Sequence, residues 1–106
     1  MARKPPSLAV IIMPRAQRDL TAIWDYNCDT YNPDHADKYA NFLADRTAAL
    51  ATEFLNGKVV PSRPDFRSFL MRKGRGHGHI AIYQIINDTV EVLHYFHTAQ
   101  DWQSKL

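Results

Sequence analysis

The chain is short of the features that mark a membrane, secreted or metal-caged protein. Among its 106 residues there is one cysteine, Cys28, so no internal disulfide can form. That usage fits a reducing cytoplasm. The run Leu8–Met13 is six residues long, against the ~20 a spanning helix needs and the ~7–15 of a secretory core. The basic start Met1-Ala2-Arg3-Lys4-Pro5-Pro6 is broken by its prolines. These absences predict a soluble cytoplasmic protein with no membrane partner. Repeats and low-complexity linkers are missing too, so residues 1–106 read as a single small domain. Glycine is scarce: three of the four lie together in Gly74-Arg75-Gly76-His77-Gly78.

The net charge of +2 hides an asymmetry. Between Lys58 and His79, six cations (Lys58, Arg63, Arg67, Arg72, Lys73, Arg75) face Asp65 alone. The remainder holds seven cations and ten acids, a net −3. One basic region on an acidic remainder points to an anionic partner, nucleic acid or an acidic protein segment.

That region belongs to the stretch Phe66–His97, in which three apolar runs are separated by two turn signals. The glycine cluster is the first turn, and Asn87-Asp88, two residues long, suits a tight hairpin. The stretch reads as a three-stranded antiparallel meander. On its middle strand, Ile80, Ile82 and Ile86 share one face, while His79, Ala81, Tyr83 and Ile85 share the other. On its last strand, Val90, Val92, His94 and Phe96 oppose Glu91, Leu93, Tyr95 and His97. Upstream, Leu8–Met13 reads as a strand buried on both faces. Ala16, Leu20, Ile23 and Trp24 then fall at helical spacing behind Pro14, predicting a helix from about Arg15 to Thr30. Asn32-Pro33 is a helix start, and Ala36, Tyr39, Leu43, Leu50 and Phe54 carry the period to Leu55. Gly57 suits a left-handed stop, and Lys58–Asp65, with Pro61, Ser62 and Pro64, reads as a loop. The sum is β-α-α-β-β-β: an α+β domain with a helical hairpin on a four-stranded, mostly antiparallel sheet.

Three places carry a family resemblance. They are Pro14-x-Ala16-x-Arg18-Asp19-Leu20-x-x-Ile23-Trp24-x-Tyr26, then Asn32-Pro33 with Ala36, Tyr39 and Leu43. The third is Arg67, Ile80-x-Ile82-Tyr83, and Val90-x-Val92-Leu93-x-x-x-His97-x-x-x-Asp101-Trp102. In this order the chain resembles the RelE/ParE superfamily of toxins from bacterial type II toxin–antitoxin modules, nearest to the ParE branch. The resemblance implies a growth-inhibiting toxin, associated with plasmid maintenance, that binds DNA gyrase and is held in a hetero-oligomer by a small ParD-like antitoxin. It implies no cofactor and, on the ParE reading, no catalytic residue. Target contacts fall to Arg67, Arg72, Lys73, Arg75, Asp101 and Trp102, and antitoxin contacts to Trp24, Tyr26 and Leu70. His94 departs from the pattern, where many ParE-like chains carry arginine, and Thr98-Ala99-Gln100 is less basic than usual.

The alternative implied by the superfamily is a RelE-like, ribosome-dependent messenger endonuclease. Its candidates are Arg67, Arg72, His79, Tyr83 and His97, because 2′-hydroxyl attack on a phosphate needs a base, an acid and cations within reach. A third reading is a non-toxic interaction module of the same fold, suggested by His94. The bland reading of Tyr83 is a packed sheet residue with its hydroxyl at the edge. Four of the five histidines lie in His77-Gly78-His79 and His94-x-x-His97. The three-residue step sets His94 and His97 on opposite strand faces, so no metal site is expected.

Overall fold

The computed structural model describes residues 7–106; the basic start Met1–Pro6 lies outside them. The order is β1 (Ala9–Ile12), α1 (Pro14–Thr30), α2 (Pro33–Ala48), α3 (Leu50–Glu53), β2 (Lys58–Val60), β3 (Arg63–Met71), β4 (His79–Ile86) and β5 (Thr89–His97). A short 3-10 turn, Gln103–Lys105, follows. The five strands form one mixed sheet in the order β1-β5-β4-β3-β2, in which only the β1–β5 pair is parallel. The α1–α2 hairpin covers one face of it. This is the expected α+β layering with one strand more than predicted. The extra strand, β2, sits inside the segment read as a loop. Its Lys58 and Val59 pair with Ser68 and Arg67 before the register slips at Val60.

Helix α1 begins with Pro14 at its first position, where a missing N–H costs nothing. Asn32 caps α2 by accepting the His35 backbone N–H at 2.8 Å. The second helix is shorter than its period suggested. It ends at Ala48, and the apolar steps Leu50 and Phe54 continue on α3 and the turn after it. Strand β1 is not buried on both faces. It is an edge strand with alternating exposure, and Ile11 is half exposed on the side without helices.

The β4–β5 ladder carries a bulge. Ile82 faces His94 and Tyr83 faces Val92, which leaves Leu93 unpaired. The bulge breaks simple alternation along β5. Val90, Val92 and Tyr95 all reach the helix-covered core with Ala81 and Tyr83. His94 falls on the opposite face, so it does not continue the face of Val92 as strict alternation predicted. The Asn87-Asp88 turn holds both residues at positive φ, 50° and 58°, as a two-residue hairpin of the primed type requires.

Under the helices, Ala16, Leu43, Leu50, Met71, Tyr83 and Val92 are at most 1% exposed. Fully burying a large apolar side chain contributes ~1.5–3 kcal/mol. The buried Thr47–Tyr95 hydroxyl pair is internally satisfied. Thr47 donates to the Leu43 carbonyl at 2.7 Å, so the Tyr95 hydroxyl, also 2.7 Å away, must donate to Thr47.

Candidate functional site

Strand β4 runs between two quite different ends. At the end near the α3–β2 turn, the Tyr83 side chain is fully buried. Its hydroxyl donates to the Phe54 carbonyl at 2.7 Å and accepts the Gly57 N–H at 3.1 Å. A Cβ on Gly57 would collide with the Tyr83 ring and hydroxyl, so Gly57 is needed for close packing. It is not among the residues at positive φ, contrary to the left-handed stop expected of it. Arg67, opposite Tyr83 on β3, donates to the Gly57 carbonyl at 2.9 Å and to that of Leu55 at 3.4 Å. Burial raises the Tyr83 phenol above its usual range, against the smaller opposing pulls of the Gly57 N–H and Arg67. Tyr83 and Arg67 thus clamp a turn. The edge position expected for the Tyr83 hydroxyl is corrected by this inward bonding.

At the other end, the β3–β4 connection carries Arg72, Lys73, Arg75 and His77, all exposed. Among the described residues, none of its three cations forms a salt bridge. Gly78 closes the loop, since a Cβ there would run into the Met71 carbonyl and the Arg72 backbone. Behind it stand imidazoles from three places. The His77 and His97 rings are 5.3 Å apart, as are those of His79 and His97. Helix α2 adds Tyr39, whose hydroxyl lies 2.5 Å from His79 Nδ1. Burial, and then the neighbouring His97, lower the His79 pKa to about 4, so this ring is neutral at pH 7. Tyr39 is pushed above its usual range by burial.

The residues proposed for messenger cleavage therefore divide. His79 and His97 meet at the hairpin end and Arg72 opens its loop, whereas Tyr83 and Arg67 serve the opposite turn. Four residue steps along the strand separate His79 from Tyr83, or ~13 Å. The target-contact set divides likewise: Arg72, Lys73 and Arg75 share the loop, and Arg67 is apart. In the tail, Asp101 is exposed and Trp102 half-buried. His97 orders this tail. Its Nδ1 accepts the Ala99 N–H at 3.0 Å, and its own N–H goes to Gln100 Oε1 at 2.8 Å.

The antitoxin candidates lie on two sides of the molecule. Trp24 is half-buried in a narrow apolar cleft with Ile12, Leu20, Ile23, Ala36 and Leu43, and its indole N–H donates to Asp37 at 2.9 Å. Tyr26, also on α1, is 66% exposed. Leu70, 52% exposed, projects from the sheet face away from the helices, since its neighbours Phe69 and Met71 enter the core.

His94, also on that far face, has a buried Nδ1 without a hydrogen-bond partner, 3.9 Å from the Asp19 carboxylate. That carboxylate instead accepts the Tyr95 N–H at 3.1 Å. Burial lowers the His94 pKa, Asp19 opposes the shift, and Arg15 adds to it. Among the described residues no metal-binding group of three or more side chains is assembled. His97 shows why the histidine cluster is a poor cage. With Nδ1 accepting an N–H, its neutral ring carries the proton on Nε2 and has no lone pair there for a metal.

Sequence reasoning missed Tyr39 as a member of this cluster. The available signal was the His77-x-His79 pair opposite His97 in a hairpin register.

A family model described as the ParE toxin of the type II toxin–antitoxin system parDE matches residues 10–102. The fold is similar to a solved structure of the chromosomal ParDE system from P. aeruginosa, with a TM-score of 0.73 and 18% identity, covering 84% of this chain and 94% of that one. It is also similar to a chain of the toxin–antitoxin complex RelBE2 from Mycobacterium tuberculosis, with a TM-score of 0.54 and 22% identity, covering 86% and 98%. Among curated proteins no relative is detected by sequence.

Proposed function

The chain belongs to the ParE toxin family of type II toxin–antitoxin systems, and from that membership we propose that it arrests growth in the cytoplasm by capturing DNA gyrase until a cognate antitoxin neutralises it. The observation that carries this reading is the β3–β4 loop. Arg72, Lys73 and Arg75 stand exposed there and, among the described residues, without an acidic partner. Unneutralised cations on an exposed hairpin loop suit an anionic surface and stay solvated until that surface arrives. Asp101 and Trp102, beyond the tail turn, complete the proposed contact. The antitoxin is proposed to fold on binding, reaching both Trp24 and Tyr26 on one side and Leu70 on the other.

The experiment is a gyrase supercoiling assay with the purified chain, run beside ribosome-dependent messenger cleavage. Loss of supercoiling with intact RNA is the expected result, relieved by R72A/K73A/R75A. Normal supercoiling at excess protein would overturn the gyrase reading. Cut RNA with normal supercoiling would favour the endonuclease reading, although Tyr83 and Arg67 stand apart from the imidazoles. Silence in both assays would leave a non-toxic interaction module. The antitoxin encoded beside the gene should raise the melting temperature, and no rise would count against the toxin–antitoxin pairing.

A further inference from the structure

The three imidazoles at the hairpin end share one property: each has its Nδ1 engaged inside the protein. His97 Nδ1 accepts the Ala99 N–H at 3.0 Å, which fixes the neutral tautomer with its proton on Nε2. His77 Nδ1 is 3.3 Å from the Thr98 hydroxyl. That oxygen accepts the Gly78 N–H at 3.1 Å and keeps its own hydrogen free for His77; with the hydroxyl donating, the ring proton of His77 sits on Nε2. His79 is held by Tyr39 and stands edge-on to His97, fixing that ring from behind. The outcome is a pair of rings whose unengaged nitrogens are N–H donors.

These donors adjoin a loop with three cations. Gly78 sits against the Arg72 backbone, so the two ends of the loop meet at the start of β4, next to the imidazole cluster. Donor N–H groups beside unneutralised cations suit phosphate oxygens. The cations stand on a glycine-rich tip and not in a rigid fork, which suits neutralisation of a repeating backbone charge more than bidentate capture of one carboxylate. The exposed His77 ring, tilted by 39° against His97, offers a face of the kind on which bases stack.

We propose that the β3–β4 hairpin end binds a nucleic-acid strand directly, with His77 and His97 donating from Nε2 to phosphate oxygens and Arg72, Lys73 and Arg75 neutralising adjacent phosphates. This goes beyond gyrase capture and does not depend on it.

The test is fluorescence anisotropy of the intact chain with a short labelled single-stranded DNA, its RNA counterpart and a duplex, over a range of salt. Three cations on a single strand predict a log–log slope of about −2, a loss of roughly tenfold or more between ~50 and ~200 mM salt. R72A/R75A should flatten the slope to about −0.7, since one of three charges remains. H77Q should weaken binding several-fold at every salt concentration, because it removes an N–H donor. His77 is exposed in a loop, and circular dichroism of the variant checks that the fold is intact. Absence of binding at low salt, or binding unchanged in both variants, would overturn the proposal. So would equal competition by millimolar inorganic phosphate or free nucleotide, which would make this a small-phosphate site. Because gyrase is absent from the assay, this proposal and the gyrase reading can fail separately.

Discussion

The two ends of β4 use similar residues for opposite purposes. At the α3–β2 end an arginine, a tyrosine and a glycine are bound to one another and to backbone carbonyls, and the chain is pinned. At the hairpin end arginines, a tyrosine, histidines and glycines again gather, but among the described residues the loop cations have no acidic partner and the His97 ring keeps its Nε2–H unspent. A basic residue next to an aromatic in sequence therefore says little about its role. What decides is whether a backbone carbonyl lies within reach. Leu55 and Gly57 offer two to Arg67, whereas among the described residues the Arg72 and Arg75 side chains donate to no backbone carbonyl.

The contrast is broken most severely through Tyr83. Tyr83→Ala should cost about 3–5 kcal/mol in urea unfolding, as expected for emptying a fully buried aromatic site. Tyr83→Phe, which keeps the ring but strands the Phe54 carbonyl and the Gly57 N–H, should cost about 1–3 kcal/mol. If Tyr83→Phe unfolds at the same urea concentration as the parent, the hydroxyl contributes nothing and the clamp is only packing. Next comes Arg67→Ala, with an expected loss of about 1–2 kcal/mol by the same measurement. Arg72→Ala and Arg75→Ala should each stay within about 0.5 kcal/mol of the parent. A loss at Arg72 as large as that at Arg67 would erase the distinction between the ends.

A pH series sharpens the comparison from the hairpin side. His79 is neutral when folded, with its pKa lowered to about 4, while an unfolded imidazole protonates near 6.5. Between those values the unfolded chain binds more protons, so stability rises with pH there. Thermal midpoints should hold above 6.5, fall as pH drops toward about 4, and fall less in His79→Gln. An unchanged slope in that variant would place the sensitivity elsewhere.

Much of this was legible in the sequence. Pro14 and the period from Ala16 to Trp24 located α1, and the Asn32 cap and the Asn87-Asp88 turn are local chemistry that survives any context. The family, and with it the layering, followed from residues spread along the whole chain. Other features were hidden for identifiable reasons. Strand β2 lies beside Pro61, Ser62 and Pro64, whose turn preference outweighed Val59 and Val60. The bulge at Leu93 leaves no mark in an alternating apolar strand, yet it decides where His94 points. The histidine cluster depends on the pairing of His79 with His97 across two strands and on a tyrosine from α2. Single-strand periodicity carries neither relation. The same blindness grouped Arg67 with the loop cations.

The parallel pair at the sheet's edge has a consequence for how the molecule is made. Ala9 pairs with Thr89, 80 positions later, and Ile12 with Val92. A ribosome adding ~5–20 residues per second must work for several seconds before the first strand has anything to pair with. Helices α1 and α2 can form early, but the sheet they cover closes only once β5 has left the exit tunnel. Until then the three imidazoles are not assembled, because His97 is the last residue of that strand. Translation thus imposes its own delay: the nascent chain carries every residue of the clamp before it carries a working hairpin end.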